Sequence, residues 1–268
     1  MKGNIFFSSA LLLAAASFSP LAAQIISGGG SHSLAICSDQ TVQAWGRNAY
    51  AQIGDSTYTN RLNPVAVHDL TGVIAVAGAP NSSHALKSDG TVWSWGNNDY
   101  GQLGDGNSGP NIGSSEPVQV VGLSGAIAIA GEGSHALAVK SDGTVWAWGY
   151  NFYGALGDGT NAQHNTPVQT SNITGAIAVS AGGYQSYALK SDGTVWAWGA
   201  GLYGQLGDGQ GVNSFTPVQA QGLTGVTAIA SGWDHCIALK SDGTVWSWGS
   251  NVKGQLGDGT NTGRVAPV

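Results

Sequence analysis

The residues able to do chemistry recur along this sequence instead of converging on one motif. His32, His135 and His235 each open an apolar run of the same form, and Ser82 and Gln185 hold the matching place in two other runs. One imidazole per run, on separate units, makes no metal cluster, so a hydrogen-bonded structural histidine is expected. His84 falls two residues further along its run, where the others have Leu34, Leu137, Tyr187 and Ile237. His68 and His164 are isolated, and both are expected in loops without a role. Asp55, Asp105, Asp158, Asp208 and Asp258 each follow a glycine in a recurring Gly-Asp element. A calcium loop needs several oxygen ligands alternating through a compact turn. One carboxylate per loop points instead to capping of the turn's own N–H groups. Glu116 and Glu132 are the only glutamates, and nothing pairs them as an acid/base couple. The Gly-rich stretch at 27–31 opens no helix that could cradle a phosphate. The sequence therefore predicts no catalytic residue, no metal ligand set and no cofactor, and a chain that binds instead of catalysing.

Contact chemistry is better represented. Tyr150, Phe152, Tyr184 and Trp233 are aromatic where the repeating pattern has other residues, and Glu132 and Asp234 break it with carboxylates. Large aromatic side chains on a rigid, Gly-framed surface are the usual material of protein-binding hot spots. These six residues are the candidate partner-binding set. Tyr50, Tyr100, Tyr153 and Tyr203 recur at one fixed place in the pattern, and that regularity predicts a structural job.

The elements that must hold these residues follow from the repeat. Trp-Ser-Trp-Gly or Trp-Ala-Trp-Gly occurs at 93–96, 146–149, 196–199 and 246–249, with a degenerate Gln-Ala-Trp-Gly at 43–46. The second Trp falls at 45, 95, 148, 198 and 248, spacings of 50, 53, 50 and 50 residues. A period of that length marks a repeat architecture. Each unit reads as four strands: an Ala/Ile inner strand, a second strand opening at the histidine position, the Trp strand, and a short outer strand led by proline. Asp-Gly between the second and third strands predicts a two-residue hairpin with positive φ at both central positions. Small residues suit a crowded inner strand. Trp146 and Trp148 share one strand face, so the pair is expected to be buried between neighbouring units. Burying such rings removes roughly 150–250 Å² each, worth several kcal/mol per interface. In a four-stranded meander, the loops between strands one and two share an end with the stretch after each Trp-Gly. That end collects the six candidate residues.

Bulk properties set the setting. Lys2 precedes an uncharged apolar stretch over 5–23, and small residues at Ala22 and Ala23 offer a cut, so residues 1–23 read as a secretory signal peptide. Serines at 8, 9, 17 and 19 favour cleavage over a membrane anchor, and no later segment is apolar enough to span a bilayer. A secreted or extracytoplasmic protein, in the periplasm or at the cell surface, is expected. The formal net charge is −6, and Lys2 is the only charged residue in the leader. An acidic surface repels phosphate backbones and anionic lipids, which sets nucleic acid aside as a partner. Cys37 and Cys236 lie four residues apart in the repeat frame, ~13 Å along a strand, beyond the ~7 Å that a disulfide tolerates.

The run Leu-Ala-Leu-Lys-Ser-Asp-Gly-Thr-Val-Trp-x-Trp-Gly-x-Asn-x-Tyr-Gly-Gln-Leu-Gly-Asp-Gly resembles the regulator-of-chromosome-condensation repeat. The match is near-complete at 240–249 with 254–259 and extends over nearly the whole chain after the leader. The resemblance implies an all-β fold, a β-propeller of four-stranded antiparallel blades. Repeat boundaries fall at about 24–70, 71–123, 124–173, 174–223 and 224–268. The family's propellers usually close with seven blades. Five repeats thus read either as an incomplete seven-bladed ring, continued by further blades of a longer chain, or as a self-contained ring of five. The first is favoured.

For function, the best-known member is an exchange factor for a nuclear small GTPase. The leader, and the lack of a charged insert to expel a nucleotide, argue against that role. Other relatives are secreted bacterial proteins, including an inhibitor that caps its target with one propeller face. A secreted protein-binding module, an inhibitor or interaction module acting through one loop face, leads. A structural or adhesive repeat segment of a larger surface protein is the alternative, ahead of carbohydrate binding.

Overall fold

The structure, a computed structural model, describes residues 25–268; the leader expected over 1–23 lies outside the described residues. Nineteen strands form five antiparallel sheets, with no helix among the described residues. Blade one comprises β1 (Ile26–Gly28), β2 (His32–Ile36), β3 (Val42–Gly46) and β4 (Arg61–Ala66). Blade two follows with β5 (Val73–Gly78), β6 (Ser82–Lys87), β7 (Val92–Gly96) and β8 (Ser114–Gln119). Blade three holds β9 (Ala126–Glu132), β10 (His135–Lys140), β11 (Val145–Gly149) and β12 (His164–Gln169). Blade four holds β13 (Ala176–Ala181), β14 (Gln185–Lys190), β15 (Val195–Gly199) and β16 (Ser214–Gln219). Blade five has β17 (Val226–Ser231), β18 (His235–Lys240) and β19 (Val245–Gly249). Its expected fourth strand is reduced to a bridge between Gly249 and Arg264 and a reciprocal hydrogen-bonded pair between Ser247 and Val268.

The inner strands pack in chain order, β1 on β5, β5 on β9, β9 on β13 and β13 on β17. Their small residues from all five blades line one central channel. The second Trp of each later blade locks it to the blade before. The indole N–H groups of Trp95, Trp148, Trp198 and Trp248 donate to the carbonyls of Gln52, Gln102, Ala155 and Gln205 at 2.8–3.0 Å, and all four rings are fully buried. Gly104, with φ +69°, lies directly on Trp148: a Cβ there would sit 2.9 Å from the ring.

The first Trp of each pair behaves differently from the expectation. Trp146 is only partly buried; its N–H donates to Thr144 at 3.1 Å, and the Lys140 ammonium lies 5.4 Å from the ring centre. The two rings share a face but stand at different positions along β11: Trp148 lies toward the loop end, where it meets the Gln102 carbonyl of the preceding blade, and Trp146 lies toward the hairpin end. The hairpin also differs. Lys87 donates its N–H to Thr91, and Gly90 alone takes a left-handed conformation (φ +78°), giving a three-residue turn with a glycine bulge. The Asp89 carboxylate accepts from the N–H and hydroxyl of Thr91, which holds Asp89 at negative φ.

The arc does not close through blade five packing on blade one among the described residues. Val245 is 64% exposed, whereas Val42, Val92, Val145 and Val195 at the same position are fully buried. At the other end Trp45 is only partly covered, unlike the four tryptophans that have a preceding blade.

Candidate functional site

The two ends of the blades carry different chemistry. At the hairpin end, Ser-Asp-Gly turns bond to the connector of the next blade, as in Ala126 N–H to Gly90 C=O and Ala176 N–H to Gly143 C=O. At the loop end, the residue after each Trp-Gly donates to the residue before strand two: Tyr150 to Ser134, Ala200 to Tyr184 and Ser250 to Asp234, each at 2.9 Å. These bonds place the two candidate segments of each blade side by side.

The structure brings the four aromatic candidates together. Tyr150 contacts Tyr184 with ring centroids 5.6 Å apart, and Tyr184 contacts Trp233 at 6.0 Å. Phe152 joins through Tyr153, at 5.1 Å edge-on, and Tyr153 lies 5.2 Å from Tyr184. Tyr100 extends the row into blade two, 5.0 Å from Tyr150. Burial and the neighbouring phenols raise the pKa of Tyr150. Phe152 is 61% and Trp233 47% exposed, so the row is open to solvent. Tyr100 and Tyr153 are expected from the sequence to be structural; their contribution to this surface is hidden because a tyrosine recurs at that place in four of the five blades.

The rings stand on a stiff base. Gly183 N–H and the Gln185 side-chain amide both donate to the Trp233 carbonyl, at 2.9 and 2.7 Å. The Trp233 ring lies over Gly183, where a Cβ would come within 2.7 Å of it. Below, Asn151 accepts the Leu156 N–H and donates to Asp158 and to the Thr160 and Ala162 carbonyls, tying down the loop that carries Phe152 and Tyr153.

The two carboxylates do not join the rings in one contact cluster. Asp234, next to Trp233, receives a long 3.5 Å hydrogen bond from Gln205. Glu132 ends β9 and lines the central channel, a cavity of about 390 Å³. Burial raises its pKa against the N–H of Gly133, which favours the ionised form.

The recurrent polar residues are structural. His32 and His135 hydrogen-bond through Nε2 to Ser83 and Ser186 of the next blade, both at 2.8 Å, and His84 bonds Ser94 at 2.9 Å. Burial depresses His32 and His135 to about 4, and burial with the neighbouring imidazoles takes His84 to about 3. The Gly-Asp carboxylates cap their turns, as in Asp158 with Thr160. His164 corrects the loop expectation: it opens β12, pairs with Gly149, and lies 3.1 Å from Asp158. Arg61 and Arg264 hold Asp55 and Asp258 from the same register position. The signal was present in the sequence as a basic residue in alternate repeats. No group of three or more metal-ligating side chains converges among the described residues. Both cysteines are free thiols, and burial pushes the Cys236 thiol up.

Four-stranded blades set around a shared channel, with irregular loops gathered at one end, define a β-propeller. The chain belongs to the regulator of chromosome condensation (RCC1) repeat family, whose models match residues 89–139, 142–189 and 192–239, and 24–52, 75–102, 127–155, 176–205 and 226–255. Among solved structures, human WBSCR16 is similar at a TM-score of 0.81 and 30% identity, over 91% of this chain and 65% of that one. The chain thus spans about two thirds of that relative's length. Prp20p of Saccharomyces cerevisiae matches at a TM-score of 0.71 and 18% identity, over 91% of this chain and 75% of that one, a likeness of fold alone.

Proposed function

We propose that this chain is a secreted protein-binding propeller, an inhibitor or interaction module that engages its partner through the loop end of blades two to five and performs no catalysis. The observation that carries this reading is the continuous, solvent-open row of rings from Tyr100 to Trp233 on a hydrogen-bonded base. Rigid aromatic side chains lose little entropy when covered, so they convert contact area into affinity efficiently. Yeast Prp20p, of the same fold, binds Gsp1p and histones, which supports protein as the class of partner. The test is a pull-down from the envelope and medium of the producing organism, comparing the parent chain with a Tyr150→Ala/Trp233→Ala variant of unchanged circular dichroism. A protein held by the parent and released by the variant supports the reading; equal retention by both removes it.

A second reading, a structural segment of a larger surface protein, draws on the uncovered blade-five face around Val245 and Leu239. Sedimentation of the purified chain tests it: self-association relieved by Val245→Lys would favour assembly through that face, and a monomer at all concentrations would not.

A further inference from the structure

We propose that the channel mouth at Glu132 receives a cationic side chain, the guanidinium or ammonium of an Arg or Lys projecting from the bound protein. This rests on the reading of the loop end as a protein-binding surface and specifies what that partner must present.

The channel is a built cavity of about 390 Å³ lined by Ala, Gly, Ser, Ile and Val, and Glu132 is the only charged residue in its lining among the described residues. Small side chains leave the space open, and Glu132 belongs to its lining, beside room that an extended side chain could fill. Apart from Lys253, which is exposed in the loop after the Trp-Gly of blade five, the chain's own cations among the described residues are committed elsewhere. Lys87, Lys140, Lys190 and Lys240 lie 5.4–5.6 Å from the centre of the first Trp ring of each pair. Arg61 and Arg264 are bound to Asp55 and Asp258. Arg47 lies over Tyr50 in blade one, 5.3 Å from the ring centre. No ion pair to Glu132 forms among the described residues.

Three classes of occupant can be compared. An anionic group would be repelled by Glu132. An apolar finger would strip water from the carboxylate without replacing its hydrogen bonds, a cost that grows with burial. A guanidinium or ammonium would supply those bonds with charge assistance, and its stem would lie along the apolar wall. The surrounding surface agrees with that choice: Asp234 adds negative charge at the same end, and the tyrosine and Trp233 faces attract cations through their quadrupoles.

The probe is a phage-displayed library of cyclic heptapeptides, selected on the parent chain and screened against Trp233→Ala and Glu132→Gln variants whose circular dichroism matches the parent. The expected result is a set of peptides that lose binding to Trp233→Ala, carry Lys or Arg well above the input frequency, and bind Glu132→Gln about tenfold more weakly. Replacing the selected Lys or Arg by norleucine should weaken parent binding by the same factor and leave Glu132→Gln binding unchanged. Peptides that need Trp233 but show no cation enrichment and bind Glu132→Gln equally would overturn this inference while leaving the binding face intact. Recovery of no peptide that depends on Trp233 would overturn both.

Discussion

Acid should unfold this propeller well before its carboxylates titrate, because three imidazoles are buried in their neutral form. His32 and His135 are depressed to about 4 and His84 to about 3, chiefly by burial. In the unfolded chain each returns to its ordinary value of about 6.5. The unfolded state therefore binds protons first as pH falls. The stability these groups contribute is complete above pH ~6.5 and drains away below it, levelling off only beneath the folded-state values. At about 1.4 kcal/mol per pH unit, each histidine costs roughly 2 kcal/mol between pH 7.5 and pH 5, roughly 6 kcal/mol for the three. That is comparable to the whole stability of many domains. Urea unfolding followed by tryptophan fluorescence at the two pH values measures the loss directly. The repeat itself offers the control. Ser82, Leu137 and Gln185 occupy the equivalent positions in other blades, so His32→Ser/His84→Leu/His135→Gln introduces only side chains already accommodated there. This variant should lose under about 1 kcal/mol over the same range. A parent chain that loses no more than the variant would refute the reasoning.

Other expectations compare like positions in unlike surroundings. Val195→Ala should cost about 2 kcal/mol by chemical denaturation, because Val195 is fully buried, while Val245→Ala should be nearly neutral on its 64%-exposed face. Gly104→Ala and Gly257→Ala impose the same positive-φ strain, but only the first meets an indole, 2.9 Å away; Gly104→Ala should therefore lower the melting temperature more, and equal shifts would contradict the Trp148 contact. Trp148→Phe should destabilise by about 2 kcal/mol beyond the lost area, since the buried Gln102 carbonyl then lacks its donor. Cys236 should resist a thiol reagent until the chain unfolds, whereas accessible labelling in the native state would contradict its burial between blades four and five.

Much of the architecture was legible because one physical solution is written five times. The Trp-x-Trp-Gly spacing, the Ala-rich inner strands and the Asp-Gly turns all agree with one blade. Features that depend on a blade's neighbours were less legible. The two tryptophans of a pair look alike in sequence, yet only the second meets a carbonyl of the preceding blade; the first lies toward the hairpin end and donates to the threonine two residues before it. The Asp-Gly turn was misassigned because Thr91 competes for the Asp89 carboxylate and leaves only glycine left-handed. At the site, departures from the repeat located Tyr150, Phe152, Tyr184 and Trp233. Tyr100 and Tyr153 read as structural because a side chain repeated in four of five blades carries little contrast. His164 escaped because its partner, Asp158, belongs to the preceding loop and meets it only when the outer strand pairs with Gly149.

The most direct test of the binding-face account is amide hydrogen exchange on the chain alone and saturated with a protein captured by the pull-down. The account expects new protection at 131–134, 150–153, 182–184 and 232–234, with the Ser-Asp-Gly hairpins at 88–90, 141–143, 191–193 and 241–243 unchanged. Protection confined to those hairpins or to the outer strands, with the aromatic row exchanging as before, would contradict it.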